Sequence, residues 1–167
     1  MPCPLFLCFQ IYLANMYTYG YDTSLGRVFI TASDDNVKCV SIGKNSFVDA
    51  VYTETTLIRK AYTQLCEYLE GRRKRFELPL SPDGTDFQKK VWNELMNIPY
   101  GETATYGEIA KRIGNPNASR AVGNANNKNP IPIFIPCHRV IGVNGKLVGY
   151  AYGLDMKRTL LDLEKSL

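Results

Sequence analysis

The pentapeptide Pro136-Cys137-His138-Arg139-Val140 sets a thiol directly beside the only histidine of the chain. A free thiol is only slightly ionised near neutral pH, so an attacking cysteine needs a neighbouring base or cation. Imidazole is the side chain whose ordinary pKa suits that task. The preceding run, Ile131-Pro132-Ile133-Phe134-Ile135, is apolar and too rich in proline for a helix; it reads as a buried extended segment. Such a segment would fix the position of Cys137, as a nucleophile requires. Neighbouring side chains of extended chain point to opposite sides. A direct Cys137–His138 pair is therefore awkward, and a relay through a water is expected. The competing reading is an inert buried thiol beside a structural histidine.

The remaining cysteines, Cys3, Cys8, Cys39 and Cys66, are scattered and form no CxxC pair, so each reads as a small hydrophobe. One histidine and no paired cysteines leave no zinc site of the usual kind, and neither a metal nor a cofactor is expected. An odd, unpaired set of thiols suits a reducing, intracellular compartment. No run of about 18 apolar residues exists to span a membrane.

The elements that must carry these groups are legible in outline. Residues 16–42 alternate in three strands, Met16–Asp22, Gly26–Ala32 and Val37–Ile42, parted by turn residues. That pattern predicts a three-stranded antiparallel meander. Residues 1–15 are apolar but lack Lys and Arg, so they read as a first strand or a loose extension, with Met16 as an alternative start. Leu57, Ala61, Leu65, Tyr68 and Leu69 recur at helical spacing before Gly71. Arg72-Arg73-Lys74-Arg75 reads as a solvated cluster rather than a nucleic-acid contact. Pro79 to Gly84 mark a boundary, dividing the chain into residues 1–80 and 81–167.

Beyond it, Thr85 with Gln88 and Thr105 with Glu108 have the spacing of capping boxes. They open a helix through Trp92 that ends before Pro99, and a second helix reaching Ile113. Gly114-Asn115-Pro116-Asn117 turns the chain into a third helix, Ala118 to about Asn126. Two short helices about a tight turn predict a helix-turn-helix. The third helix is built from Ala118, Ala121, Gly123 and Ala125, which would let its backbone approach a duplex or pack on a neighbouring helix. The net charge of +4 is mild, but from Ile109 to Leu154 there is no Asp or Glu, while Lys111, Arg112, Arg120, Lys128, Arg139 and Lys146 fall there. That asymmetry is the footprint of a polyanionic partner.

The active-site pentapeptide does not stand alone. Phe87-Gln88-Lys89-Lys90-Val91-Trp92, Ile98-Pro99-Tyr100-Gly101-Glu102, Thr105-Tyr106, Ile109-Ala110, Gly114-Asn115-Pro116, Ser119-Arg120-Ala121-Val122-Gly123 and Asn129-Pro130 keep the same company and spacing. Together they resemble the O6-alkylguanine-DNA alkyltransferases, the methylated-DNA–protein-cysteine methyltransferase family, over about residues 85–165. The N-terminal half resembles that family only in its strand-then-helix layout.

The resemblance implies an α/β (α+β) fold. A ribonuclease H-like antiparallel sheet with a helix would precede a helical, winged-helix-like domain containing the helix-turn-helix. It implies DNA repair by irreversible, single-turnover transfer of an alkyl group from O6-alkylguanine, and also O4-alkylthymine, to Cys137. The partner would be double-stranded DNA, met by a monomer, with no membrane involved. His138 would take the thiol proton through a water, and Glu164 would steady the imidazolium. Asn129 would tie the recognition helix to the active-site segment. Tyr106 would help extrude the nucleotide and donate a proton toward guanine N3. Arg120 would fill the gap in the base stack, and Ala118, Ser119, Ala121, Gly123 and Lys111 would line the DNA side.

Tyr150, Ala151, Tyr152, Gly153 and Val140 would shape the alkyl pocket. Tyr152 departs from the glycine that many members carry, which bears on the range of alkyl groups accepted. The zinc of some members is not implied, because its ligands are missing. Two other classes compete. One is a helix-turn-helix regulator or alkylation sensor; the other, a cysteine hydrolase, is disfavoured by its lone adjacent histidine.

Overall fold

The computed structural model describes residues 16–165, so the expectation for residues 1–15 lies outside the described residues. β1 (Tyr17–Thr23), β2 (Gly26–Ala32) and β3 (Val37–Ile42) form the expected antiparallel meander. Gly26 adopts φ 95° at the first hairpin, a conformation that suits glycine, and Thr23 Oγ1 donates to its carbonyl at 2.7 Å. A fourth strand, β4 (Val51–Tyr52), pairs in parallel with β1, giving the order β3-β2-β1-β4. Two residues are too short to show an alternation, so this strand had no legible signature.

β2 buries Val28, Ile30 and Ala32, and α1 (Thr56–Leu69) covers the sheet with Ile58, Ala61, Leu65 and Tyr68. The Thr55 side chain caps α1 by accepting from the Ile58 N–H at 3.2 Å. Both expected capping boxes form: Thr85 with Gln88 opens α2 (Asp86–Leu95), and Thr105 with Glu108 opens α3 (Tyr106–Arg112). After a turn follows α4 (Ser119–Asn127), and the helix-turn-helix is complete. Trp92 on α2 is buried, and its indole N–H donates to the Ala125 carbonyl at 2.9 Å, pinning α4 in place. β5 (Ala104–Thr105) and β6 (Val140–Ile141) pair in parallel, and α5 (Leu154–Lys165) closes the fold over the turn at Cys137–Arg139.

One apolar core runs from β2 and α1 through Trp92 and Leu95 to Ile135 and Cys137. The two halves also share backbone bonds along β3. Val40 N–H donates to Pro130 at 2.8 Å, and Val37 both donates to Pro79 and accepts from Ser81. The proposed boundary between residues 80 and 81 therefore falls on a segment bonded to the sheet.

Residues 131–135 are not extended, and here the sequence reading is corrected. Ile135 N–H donates to Ile131 at 2.9 Å, and Ile133 takes φ 74°, which a β-branched residue reaches only when its surroundings impose it. Asn129 imposes it. Its Oδ1 accepts from the Ile131 N–H at 3.0 Å, and its Nδ2 donates to the Ile135 carbonyl at 2.8 Å. The loop is a compact knot tied by one asparagine.

Candidate active site

The knot delivers Cys137 into a 3-10 turn, Cys137–Arg139, rather than extended chain. Cys137 and His138 are therefore not held to opposite sides as neighbours in extended chain are. All three turn residues are buried, with His138 fully so. Asn126 on α4 donates to the Cys137 carbonyl at 3.3 Å, so the second helix of the helix-turn-helix holds the backbone of Cys137. Sequence reasoning did not single out Asn126.

His138 Nε2 lies 2.8 Å from Glu164 Oε1. Glu164 is buried and surrounded by donors. Arg139 reaches it in bidentate fashion, with Nε 2.9 Å from Oε2 and Nη2 2.9 Å from Oε1, while Tyr68 donates at 2.7 Å and the Gly101 N–H at 3.0 Å. Burial alone would push the Glu164 carboxyl up. The hydrogen bonds and charges of His138 and Arg139 outweigh burial and bring it down to about 2. An ionised carboxylate only accepts, so Nε2 must carry the proton, and Nδ1 holds the free lone pair. Nδ1 is buried and hydrogen-bonds to no described residue. Burial, with Arg139 and Lys157 nearby, holds the imidazole below its usual value of 6.5 despite Glu164. His138 is a neutral base with its acceptor nitrogen kept open.

Arg139 was counted among the cations that a polyanion could meet. The structure places it inside, against Glu164 and the Ile98 carbonyl at 2.7 Å, so it leaves that footprint. Arg72 and Arg73 bond to Glu70 and Glu67, as suits a solvated cluster.

Burial pushes the Cys137 thiol up to about 11, against the Asn129 amide and the Lys157 charge, which pull it down. Lys157 is a second residue that sequence reasoning missed. It is buried, and its ammonium donates to the carbonyls of Val140, Val148 and Gly149 at 2.6, 2.8 and 3.3 Å. Burial lowers it to about 8, while three acceptors favour the charged form. It clips the loop over the active site to α5. Its only trace in the sequence was a lysine at an otherwise apolar position of an amphipathic helix.

Tyr106 stands at the start of α3 with its hydroxyl donating to the Val148 carbonyl at 3.1 Å, and burial raises its pKa. Tyr150 and Tyr152 meet edge to face at 6.1 Å, and the Tyr150 hydroxyl is buried with no partner among the described residues. Tyr152 is half-buried, and burial raises its pKa while the nearby backbone of Ile42 on β3 lowers it. Gly153 takes φ 88° and Ala151 is exposed, whereas Val140 is wholly buried in core.

On the helix-turn-helix, Arg120, Ala121 and Lys111 are exposed, and Ala118 and Ser119 are half-buried at the start of α4. No side chain caps α4, which leaves its first N–H groups for an outside partner. Gly123 faces the Tyr106 ring, where a Cβ would stand 3.6 Å away, in ordinary contact. Arg112 pairs with Glu94 at 3.6 Å. Among the described residues, no cluster of His, Cys, Asp and Glu is suited to a metal ion, and no helix is long and apolar enough to cross a membrane.

Known proteins share this architecture. The family profile described as 6-O-methylguanine DNA methyltransferase, DNA binding domain, matches residues 86–166. The chain is 51% identical over 155 residues to a methylated-DNA–protein-cysteine methyltransferase of Methanosarcina acetivorans, covering 90% of this chain and 99% of the relative. It is 44% identical over 159 residues to the constitutive methylated-DNA–protein-cysteine methyltransferase of Bacillus subtilis, covering 90% and 96%. Mycobacterium tuberculosis OGT in complex with DNA superposes with a TM-score of 0.85 at 42% identity, covering 90% of this chain and 93% of that one.

A neutral thiol beside a neutral imidazole has a defined pH signature. The base is lost only when His138 is protonated, below its usual 6.5, and the thiol ionises by itself only near 11. The rate of Cys137 alkylation should hold level near pH 7, fall on the acid side as His138 is protonated, and fall again above about 8, where Lys157 loses the charge that supports the sulfur. A rate rising about tenfold per unit across that plateau would mean that free thiolate attacks unaided.

Proposed function

The chain belongs to the methylated-DNA–protein-cysteine methyltransferase family and repairs DNA by alkyl transfer, and we propose that Cys137 is the acceptor, serving O6-alkylguanine and O4-alkylthymine in duplex DNA once per molecule. The observation that carries this reading is the buried Cys137 thiol in one turn with a His138 whose only occupied nitrogen faces ionised Glu164. His138 Nδ1 takes the thiol proton through a water. Sγ then attacks the alkyl carbon as the carbon–O6 bond breaks. The electron pair passes into the purine, and Tyr106, leaving the Val148 carbonyl, supplies a proton to N3 so that guanine departs neutral. The imidazolium and the phenolate return to their resting forms by proton exchange with solvent. Asn129 and Lys157 support the sulfur while it carries negative charge.

Exposed Arg120 on α4 fills the stack left by the extruded base, while Lys111, Ser119 and Ala118 face the backbone. The protein acts as a monomer inside the cell. A regulator would need the helix-turn-helix but not a buried thiol set beside Asn129, Lys157 and a histidine oriented by Glu164, and this favours repair over sensing.

Three outcomes test the reading. Cys137→Ser should abolish transfer yet keep DNA binding, and peptide mapping after reaction with a methylated oligonucleotide should find one methyl, on Cys137. Methyl on Cys39 or Cys66, or repeated turnover, would defeat it. Arg120→Ala should slow duplex repair about tenfold or more but single-strand repair by less than about twofold, since flipping costs a few kcal/mol only where bases are stacked. Equal losses on both substrates would remove the wedge role. Tyr152→Gly should leave methyl transfer unchanged and speed reaction with free O6-benzylguanine by about tenfold or more, because the ring blocks an in-line approach. Tyr152→Phe keeps the ring and should stay slow; no gain from glycine would mean that Tyr152 does not line the pocket.

A further inference from the structure

We propose that Tyr68, on α1 in the N-terminal half, is a positioning residue for the transfer reaction, holding the Glu164 carboxylate where His138 needs it. The proposal rests on the roles given above to Cys137, His138 and Glu164. It adds a residue from the other half of the chain.

The geometry is a triangle of polar atoms. The Tyr68 hydroxyl lies 2.7 Å from Glu164 Oε1, the same oxygen that receives His138 Nε2 at 2.8 Å, and 3.4 Å from Nε2 itself. The phenol has one proton, and the ionised carboxylate can only accept, so the O–H donates to Glu164. The phenol oxygen then offers a secondary acceptor to the imidazole N–H. One hydroxyl thus fixes both the carboxylate and the ring edge of the base.

The hydroxyl is held firmly. Tyr68 is fully buried, and its ring packs on Phe76 at 5.3 Å and Tyr100 at 6.1 Å. Its helix is anchored on the sheet by Ile58, Ala61 and Leu65. Burial and Glu164 together push its pKa upward, so it stays a donor at every working pH. A tyrosine that merely satisfied its hydroxyl could have met any carbonyl. This one meets the atom through which the base is oriented.

The electrostatic sign follows from the groups that face the pair. α1 contributes Tyr68, and the segment after α2 contributes Tyr100 and the Gly101 N–H. The 3-10 turn contributes Arg139, and α5 contributes Lys157, whose charge reaches His138, together with Glu164 itself. Each donor draws carboxylate charge away from the imidazole. Removing the phenol returns part of that charge to His138, which then protonates more readily. The acid limb of the rate profile should move to higher pH. At the plateau, the loosened carboxylate should cost rate.

The experiment is single-turnover repair of a methylguanine duplex by the full chain, followed across pH. Tyr68→Phe keeps the ring and its packing, and should lower the plateau by about tenfold with the acid limb shifted upward. In the Glu164→Gln background, the same change should add almost nothing, because both act through one carboxylate. Tyr62→Phe, a hydroxyl loss on the same helix but stacked on Tyr21, should match wild type. The proposal is overturned if Tyr68→Phe keeps the wild-type plateau and limb. It is also overturned if its rate loss comes with an unmoved limb and multiplies fully with Glu164→Gln. Wild type that puts no methyl on Cys137 would fail the underlying reading instead, and the two failures are distinguishable in one assay.

Discussion

A carboxylate sealed from water costs on the order of several kcal/mol unless its charge is met from every side. Glu164 is met by Arg139, His138, Tyr68 and the Gly101 amide, which come from a 3-10 turn, a helix of the N-terminal half and a loop. Much of the architecture can be read as the means of bringing those donors together. α5 must lie over the Cys137–Arg139 turn to deliver the carboxylate. Gly101 must reach φ 79°, and a Cβ there would stand 3.2 Å from the Glu164 carbonyl. Removing any one donor leaves the others paired with an anion they no longer balance.

The same burial sets the chemistry. In a dry site a resting thiolate would be costly, and Cys137 is accordingly a thiol. Its proton leaves only when a base stands ready and an electrophile occupies the pocket, which guards the cysteine against oxidation and stray alkylators. The product explains the single use. A thioether has no leaving tendency toward water at neutral pH, and the site offers no second nucleophile: among the described residues Cys39 is buried elsewhere in the sheet and Cys66 lies on α1. Restoring Cys137 would need chemistry that these residues do not possess.

What the sequence disclosed was local, and what it hid was non-local. Thr85 with Gln88 and Thr105 with Glu108 announce two helices because a capping box is written within four residues. The meander was legible from alternation, and Cys137 and His138 stood out as candidates by their adjacency. Ile133 misled, since an apolar run looks extended until Asn129 is seen to knot it from outside. Arg139 misled in the other direction: a cation in an acid-free stretch reads as surface, and its partner Glu164 lies 25 residues away on another helix. Tyr68 and Lys157 had no signal beyond helical spacing, because what distinguishes them is the group each meets across the fold. Glu164 itself was reached only through family resemblance.

The coupling between recognition and chemistry is built into α4. One face of this helix presents Arg120 and Ala121 to solvent. The opposite face carries Val122 and Ala125 into the core, and Asn126 onto the Cys137 carbonyl. Just past its end, Asn129 ties the loop that carries Cys137, and its amide lowers the pKa of the Cys137 thiol. Trp92 fixes the same helix from beneath. A force on the DNA-facing side is therefore transmitted through a short, hydrogen-bonded stretch to the reacting atom, with no flexible linker between them. Packed interiors of this kind yield little, so under the proposed mechanism a base extruded against α4 would meet Sγ in fixed register. Growth of the sulfur by an alkyl group must conversely strain Asn126, Asn129 and the helix they belong to. Binding, transfer and the fate of the spent protein thus share one rigid element.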